Sequence, residues 1–327
     1  MSSSRIILII LTLFIVLGTA GLLWQRQILD ASQPKKQRLT IVTTLFPLYD
    51  MVRALGGDAV IVTLLLPPGT EAHAFEPTPR DIITINTADI FIYTGPVMEP
   101  WVDDILGSLH NPDMVIVNAS EHITPITDAD THGTTSPTSD ADEPTNTDAY
   151  TGVDPHVWLN PANASVMVND IASAIIEARP DLSQTIASQL VIYTDTLSRI
   201  DTAYSDTFAT CNQKTIVYGG HYAFGYMANR YGLTYASAQG FSPDTEPTAS
   251  DLAELANRLK TLETRTVFYD PIENKKIAET IARETGATLA ALSPGHTVSK
   301  QEFDAGITFF DILTHNLSAL RSGLSCQ

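Results

Sequence analysis

LTIVTTLFPLYDMVRALGGDAVIVTLLLPPGTEAH, residues 39–73, is the stretch that decides the fold. Leu39-Thr40-Ile41-Val42-Thr43 reads as a buried strand, because it is apolar and β-branched with no solvent-facing alternation. Pro47 to Leu55 follows at helical spacing and is stopped by Gly56-Gly57. Val60 to Leu65 is a second strand, closed by Pro67-Pro68-Gly69. Strand, helix, strand in immediate succession predicts a parallel sheet with helices on both faces. The stretch ends on His73, just past the end of a strand.

The same rhythm runs outward from there. Thr78-Pro79 supplies an N-cap and a first-turn proline for the next helix. Asp89 to Thr94 is a third strand, Glu99 to Leu109 a helix, and Met114 to Val117 a fourth strand. Residues 121–153 break the pattern with Thr, Asp, Ser, Gly and Pro, and predict an acidic mobile loop carrying His122 and His132. Order resumes at Asp154-Pro155-His156-Val157-Trp158-Leu159-Asn160-Pro161, where two prolines hold a histidine rigidly at a place that solvent should reach. Ala162 to Ala178 is helical, Pro180 interrupts, and Asp181 to about Thr210 predicts one helix of ~43 Å, long enough to be a spine between two lobes.

The second half repeats the first. Strands are predicted at Thr215–Tyr218, Leu233–Ala236, Thr266–Tyr269 and Ala287–Ala291. Helices are predicted at His221–Tyr231, after Thr248-Ala249-Ser250-Asp251, at Asn274–Glu284, and after Ser299-Lys300-Gln301-Glu302, which opens a single C-terminal helix. The expected fold is α/β: two lobes, each a four-stranded mainly parallel sheet flanked by helices, joined by one long rigid helix. The divisions are a targeting segment and linker at 1–37, a first lobe at 38–180 that includes the 121–153 loop, a linking helix at 181–211, and a second lobe at 212–327.

Composition narrows the function. The 19 Lys and Arg stand against 37 Asp and Glu, a net charge of −18. A chain this acidic is repelled by phosphate backbones, so no nucleic-acid partner is expected. Ile6 to Trp24 is apolar and uncharged after a single Arg5, near the ~20 residues needed to span a bilayer. Either a cleaved signal or a retained membrane anchor fits it, and both place the body outside the cytoplasm. No cysteine follows the run, so lipoprotein attachment is not expected. In an oxidising compartment Cys211 and Cys326 form a disulfide or stay as two free thiols; neither belongs to a Cys-x-x-Cys pair.

Four histidines stand out. His73, His221 (after Gly219-Gly220) and His296 (after Pro294-Gly295) each follow a predicted strand, and His156 enters between the lobes. Ligands of open parallel sheets bind beyond the strands' carboxyl ends, so these imidazoles converge if the lobes face each other. Four neutral imidazoles in a closed shell suit tetrahedral Zn²⁺, with Mn²⁺ the poorer match because it prefers carboxylates. His110 and His315 read as surface or structural residues, and His122 with His132 as a mobile metal-gathering patch or plain solvated linker.

The chain resembles the metal-binding receptors of ABC importers for zinc and manganese, in the zinc-uptake branch. The resemblance covers nearly everything after residue 38. It rests on Pro68-Gly69-Thr70-Glu71-Ala72-His73-Ala74-Phe75-Glu76-Pro77-Thr78-Pro79, on Asp154 to Pro161, on His221-Tyr222-Ala223-Phe224-Gly225-Tyr226 with Tyr231-Gly232-Leu233, and on Ser242-Pro243-Asp244-Thr245-Glu246-Pro247. It implies an extracytoplasmic receptor, monomeric and not an enzyme, that captures Zn²⁺ between two lobes and delivers it to an ABC permease. His73, His156 and His221 match the family's first three ligands. The fourth is commonly a carboxylate or water; here His296 takes that region and is the expected ligand. A zinc hydrolase with three histidines, a bound water and Glu71 or Glu76 as base is the alternative, although the sequence holds no His-Glu-x-x-His.

Overall fold

The strands form where continuous apolar runs can be covered on both faces. The computed structural model describes residues 38–127, 152–241, 247–261 and 265–327. The apolar N-terminal run, residues 128–151 of the acidic loop with His132, and Ser242 to Glu246 lie outside the described residues. In the first half β1 (Leu39–Thr43), β2 (Val60–Leu64), β3 (Ile90–Tyr93) and β4 (Val115–Asn118) pair in the order β2-β1-β3-β4, every pair parallel. In the second half β5 (Thr215–Tyr218), β6 (Thr234–Ser237), β7 (Thr266–Tyr269) and β8 (Thr288–Ala291) repeat it as β6-β5-β7-β8, again all parallel. Burial follows position in the sheet. Interior strands β3 and β5 are buried at every residue, whereas in edge strand β2 only Val60 is buried and Ile61 and Thr63 are exposed.

The helices are α1 (Phe46–Gly56), α2 (Pro79–Asn86), α3 (Trp101–Leu106), α4 (Pro161–Ala178), α5 (Ser183–Ala209), α6 (Gly225–Tyr231), α7 (Ala249–Thr261), α8 (Lys276–Thr285), α9 (Lys300–Ala305) and α10 (Phe309–Gly323). The start signals behave as the sequence predicts. Thr78 and Asp81 exchange side-chain-to-backbone bonds at α2, as do Thr248 and Asp251 at α7 and Ser299 and Glu302 at α9.

Four expectations need correction. The helix after β5 begins at Gly225 rather than His221. The Tyr222 N–H donates to the Gly240 carbonyl at 2.7 Å and the Ala223 N–H to the Tyr235 hydroxyl at 3.2 Å, which ties His221–Phe224 to the end of β6 instead of a helical turn. The helix expected over Glu99–Leu109 is α3 alone, because the Glu99 carboxylate is spent on the backbone N–H groups of Thr94 and Gly95. The single C-terminal helix is two: Gly306 ends α9 at φ +78°, and a Thr308–Asp311 capping box starts α10. His156 is fully buried, not open to solvent.

Both sheets turn one face to a shared interior. Leu48, Met51, Trp158, Met167, Ile171, Tyr204, Phe309 and Leu313 belong to one apolar cluster running from Leu39 to Leu324. Separate clusters lie under α2 and α3 (Val42, Ile85, Phe91, Val102) and under α7 and α8 (Val217, Leu255, Val267, Ile281). The long helix α5 lies between the halves and buries Ile186, Tyr193, Leu197, Tyr204 and Phe208, one stripe at spacings of seven and four. Its 27 residues span ~40 Å. The Tyr204 hydroxyl donates to the Leu313 carbonyl at 2.7 Å, tying α5 to α10, and a disulfide joins Cys211 to Cys326. Among the described residues no helix is long and apolar enough to cross a membrane.

Candidate metal centre

Each expected histidine sits where chain geometry leaves it little freedom. His73 lies within the loop after β2, His156 precedes the 3-10 turn Val157–Leu159, His221 follows β5, and His296 follows β8. The glycines before His221 permit a close approach. A Cβ at Gly219 would stand 2.6 Å from the Ala278 Cα of α8, and one at Gly220 would stand 2.9 Å from the Tyr218 ring. The halves are stitched together beside these residues. The Trp158 indole N–H donates to the Pro294 carbonyl at 2.7 Å, the Phe46 N–H to the His296 carbonyl at 3.1 Å, and the Gly69 N–H to the Thr297 hydroxyl at 3.2 Å.

Three imidazoles converge. The Nε2 atoms of His73 and His156 are 3.3 Å apart, those of His221 and His156 are 3.2 Å apart, and the donor atoms of all three lie within 4.8 Å of one another. Two nitrogens bound to zinc at ~2.0–2.1 Å and a tetrahedral angle lie ~3.3 Å apart, so the spacing fits that ion. The rings are turned by carboxylates on their far side. Asp154 Oδ1 is 2.9 Å from His156 Nδ1 and also accepts the His156 backbone N–H at 2.9 Å; Glu273 Oε1 is 2.9 Å from His221 Nδ1. A proton held on Nδ1 by Asp154 leaves the His156 Nε2 lone pair free for a cation, whereas Glu273 lies against His221 Nδ1 as an ion-pair contact without hydrogen-bond alignment.

Burial decides the protonation. It holds His73 and His156 well below the usual histidine range, helped by the like charge of the neighbouring imidazoles. Burial with the His221 charge lowers His296 to about 3. His221 is the exception: burial works to lower it, but the Glu273 carboxylate, with Asp270 and Glu71, outweighs that and raises it. Burial thus favours neutral donors at His73, His156 and His296, while the carboxylates around His221 favour its charged form.

His296 lies beside the trio rather than inside it. Its ring is 6.0 Å from that of His221 and 6.2 Å from that of His73, and its buried Nδ1 has no hydrogen-bond partner among the described residues. A cleft of about 630 Å³ next to it is lined by Gly69, Glu71, Gln239, Glu273, Lys276 and His296. The structure leaves His122 outside the cluster: it is exposed and pairs through Nδ1 with Asp170 at 3.0 Å. His110 and His315 are exposed. Sequence reasoning assigned no role to Asp154 or Glu273. The first was legible as an acid two residues before a histidine in a proline-fixed turn; the second carries no local signal, because its contact is made by folding.

A family model described as zinc-uptake complex component A, periplasmic (ZnuA), matches residues 41–323. The chain belongs to the ZnuA family. The high-affinity zinc uptake system protein ZnuA of Bacillus subtilis is 33% identical over 294 residues, 90% of either chain. The zinc-binding protein AdcA of Streptococcus pyogenes is 32% identical over 96% of this chain, which spans 61% of that longer protein. Among solved structures, the Zn(II)-bound ZnuA-like domain of Streptococcus pneumoniae AdcA superposes with a TM-score of 0.73 at 29% identity, over 88% of this chain and 99% of that domain. The two parallel sheets with a long helix between them are the ZnuA-like fold.

Proposed function

We propose that this chain is an extracytoplasmic receptor that captures Zn²⁺ and hands it to an ABC permease for uptake. The observation that carries the reading is the convergence of three Nε2 atoms, those of buried His156 and His221 and of partly buried His73, at zinc-like spacing, in a chain of the ZnuA family. His73, His156 and His221 hold the ion and His296 completes the shell, moving in by a ring shift that supplies its unpartnered nitrogen. The two sheets with their helices act as lobes, 38–180 and 212–327, on either side of the linking helix 181–211. The ion is cargo, so a closed four-ligand shell without a reactive water suits it better than the open position a zinc hydrolase needs. The chain works as a monomer, with residues 6–24 holding it at the membrane or directing its export.

Metal content and competition titrations on wild type and His296→Ala test the assignment. One tight Zn²⁺ per chain, weakened in the variant and poorly displaced by Mn²⁺, is the expected result. Unchanged affinity in the variant would leave a three-histidine site, and a preference for Mn²⁺ would overturn the zinc reading.

A further inference from the structure

Of the two carboxylates beside the ligand imidazoles, one is fully buried and the other partly exposed. Asp154 is buried, lies two residues from His156 in the same turn, and accepts both the ring N–H and the backbone N–H of that residue. Glu273 comes from the loop between β7 and α8, is partly exposed, and reaches His221 Nδ1 from the wall of the 630 Å³ cleft. Its loop is anchored from behind by the Ile272 N–H, which donates to Asp270 Oδ1 at 2.8 Å. Glu273 faces the ring nitrogen opposite the one that points at His156, so it orients His221 without being a ligand.

We propose that Glu273 is the positioning residue that sets how long the metal stays, by holding the His221 ring with its Nε2 turned inward from the side of the cleft. This rests on the reading of the histidine trio as a zinc site. Without the carboxylate, the His221 ring is free to place its proton on either nitrogen and to rotate away from the ion. His156, locked by Asp154, has no such freedom. The outer partners of metal-bound histidines are worth roughly 10- to 100-fold in metal affinity, and a loss here is read as faster release because an ion on a freed ring escapes more often.

The test compares full-length wild type, Glu273→Ala and Glu273→Gln. Three quantities are read: Zn²⁺ release into excess chelator, the visible spectrum of the Co²⁺-loaded protein, and the melting temperature of the metal-free protein. Glu273→Ala should still bind one ion but release it roughly 10- to 100-fold faster. Glu273→Gln, which keeps the size and a polar oxygen beside the ring but loses the charge, should fall between. The Co²⁺ spectrum should shift, a change that a merely structural role would not produce. Release from Glu273→Ala at the wild-type rate would overturn the proposal. So would faster release accompanied by a lower metal-free melting temperature and an unshifted spectrum, which marks a structural role. Wild type that binds no Zn²⁺ at all would remove the zinc reading itself, a result distinct from either.

Discussion

At the scale of residues, burial controls both the site and a second titrating group, Glu99. His156 is central to the trio, its Nε2 within 3.3 Å of both partners, so His156→Ala should weaken Zn²⁺ binding more than about 100-fold, beyond what loss of an outer partner costs. His122→Ala, at an exposed residue paired with Asp170, should leave affinity unchanged; competition against a fluorescent chelator reads both. Glu99 offers a pH test. Burial pushes its carboxyl up to about 7, against hydrogen bonds from Thr44 and from the Thr94 and Gly95 N–H groups that work the other way. A carboxyl whose folded pKa is raised binds more protons folded than unfolded. Its contribution is therefore whole below about pH 4.5 and is lost as pH rises through about 7. Glu99→Gln should flatten the decline of metal-free stability across that window by up to about 3 kcal/mol, measured by denaturant unfolding at several pH values.

At the scale of elements, the helices and strands were nearly all legible in the chain. Caps at Thr78, Thr248 and Ser299 and glycine stops such as Gly286 announce themselves because their chemistry is local. Elements misread from sequence were decided by distant partners: the Gly240 carbonyl that holds Tyr222 out of α6, and the backbone amides that claim Glu99 from α3. The 3-10 turn after His156 depends on one such partner as well. Trp158→Phe would leave the Pro294 carbonyl without its indole donor and should cost about 1–3 kcal/mol of metal-free stability. Because Pro294 is two residues from His296, the same variant should also weaken Zn²⁺ binding if His296 is a ligand, which a parallel titration checks.

At the scale of the whole molecule, a single apolar cluster crosses from one sheet to the other through α4, α5 and α10, and the Phe46 N–H bond to the His296 carbonyl and the Phe309 N–H bond to the Asp50 carboxylate both tie α1 to the second half. Domains that share a core in this way cannot swing as hinged bodies without exposing it. Zinc loading should therefore leave the radius of gyration in solution scattering unchanged, with differences confined to the loops of His73, Glu273 and His296. It should also stabilise the fold by mass action, by about 4 kcal/mol when free Zn²⁺ is a thousandfold above its dissociation constant, and removal by chelator should reverse the gain. A large change in radius on loading would show that the shared core opens.

The alternation of buried strands and capped helices was determined by the sequence alone, because propensity, capping and binary pattern act within a few residues of chain. So was the family, through motifs around His73, His156 and His221 that survive as contiguous strings. Tertiary structure alone decided which nitrogen each imidazole offers. It set the 3.2 Å and 3.3 Å spacings, put His296 beside rather than within the trio, and brought Glu273 onto His221. Those facts depend on how two sheets built from distant segments meet, and no local signal records where two surfaces will touch.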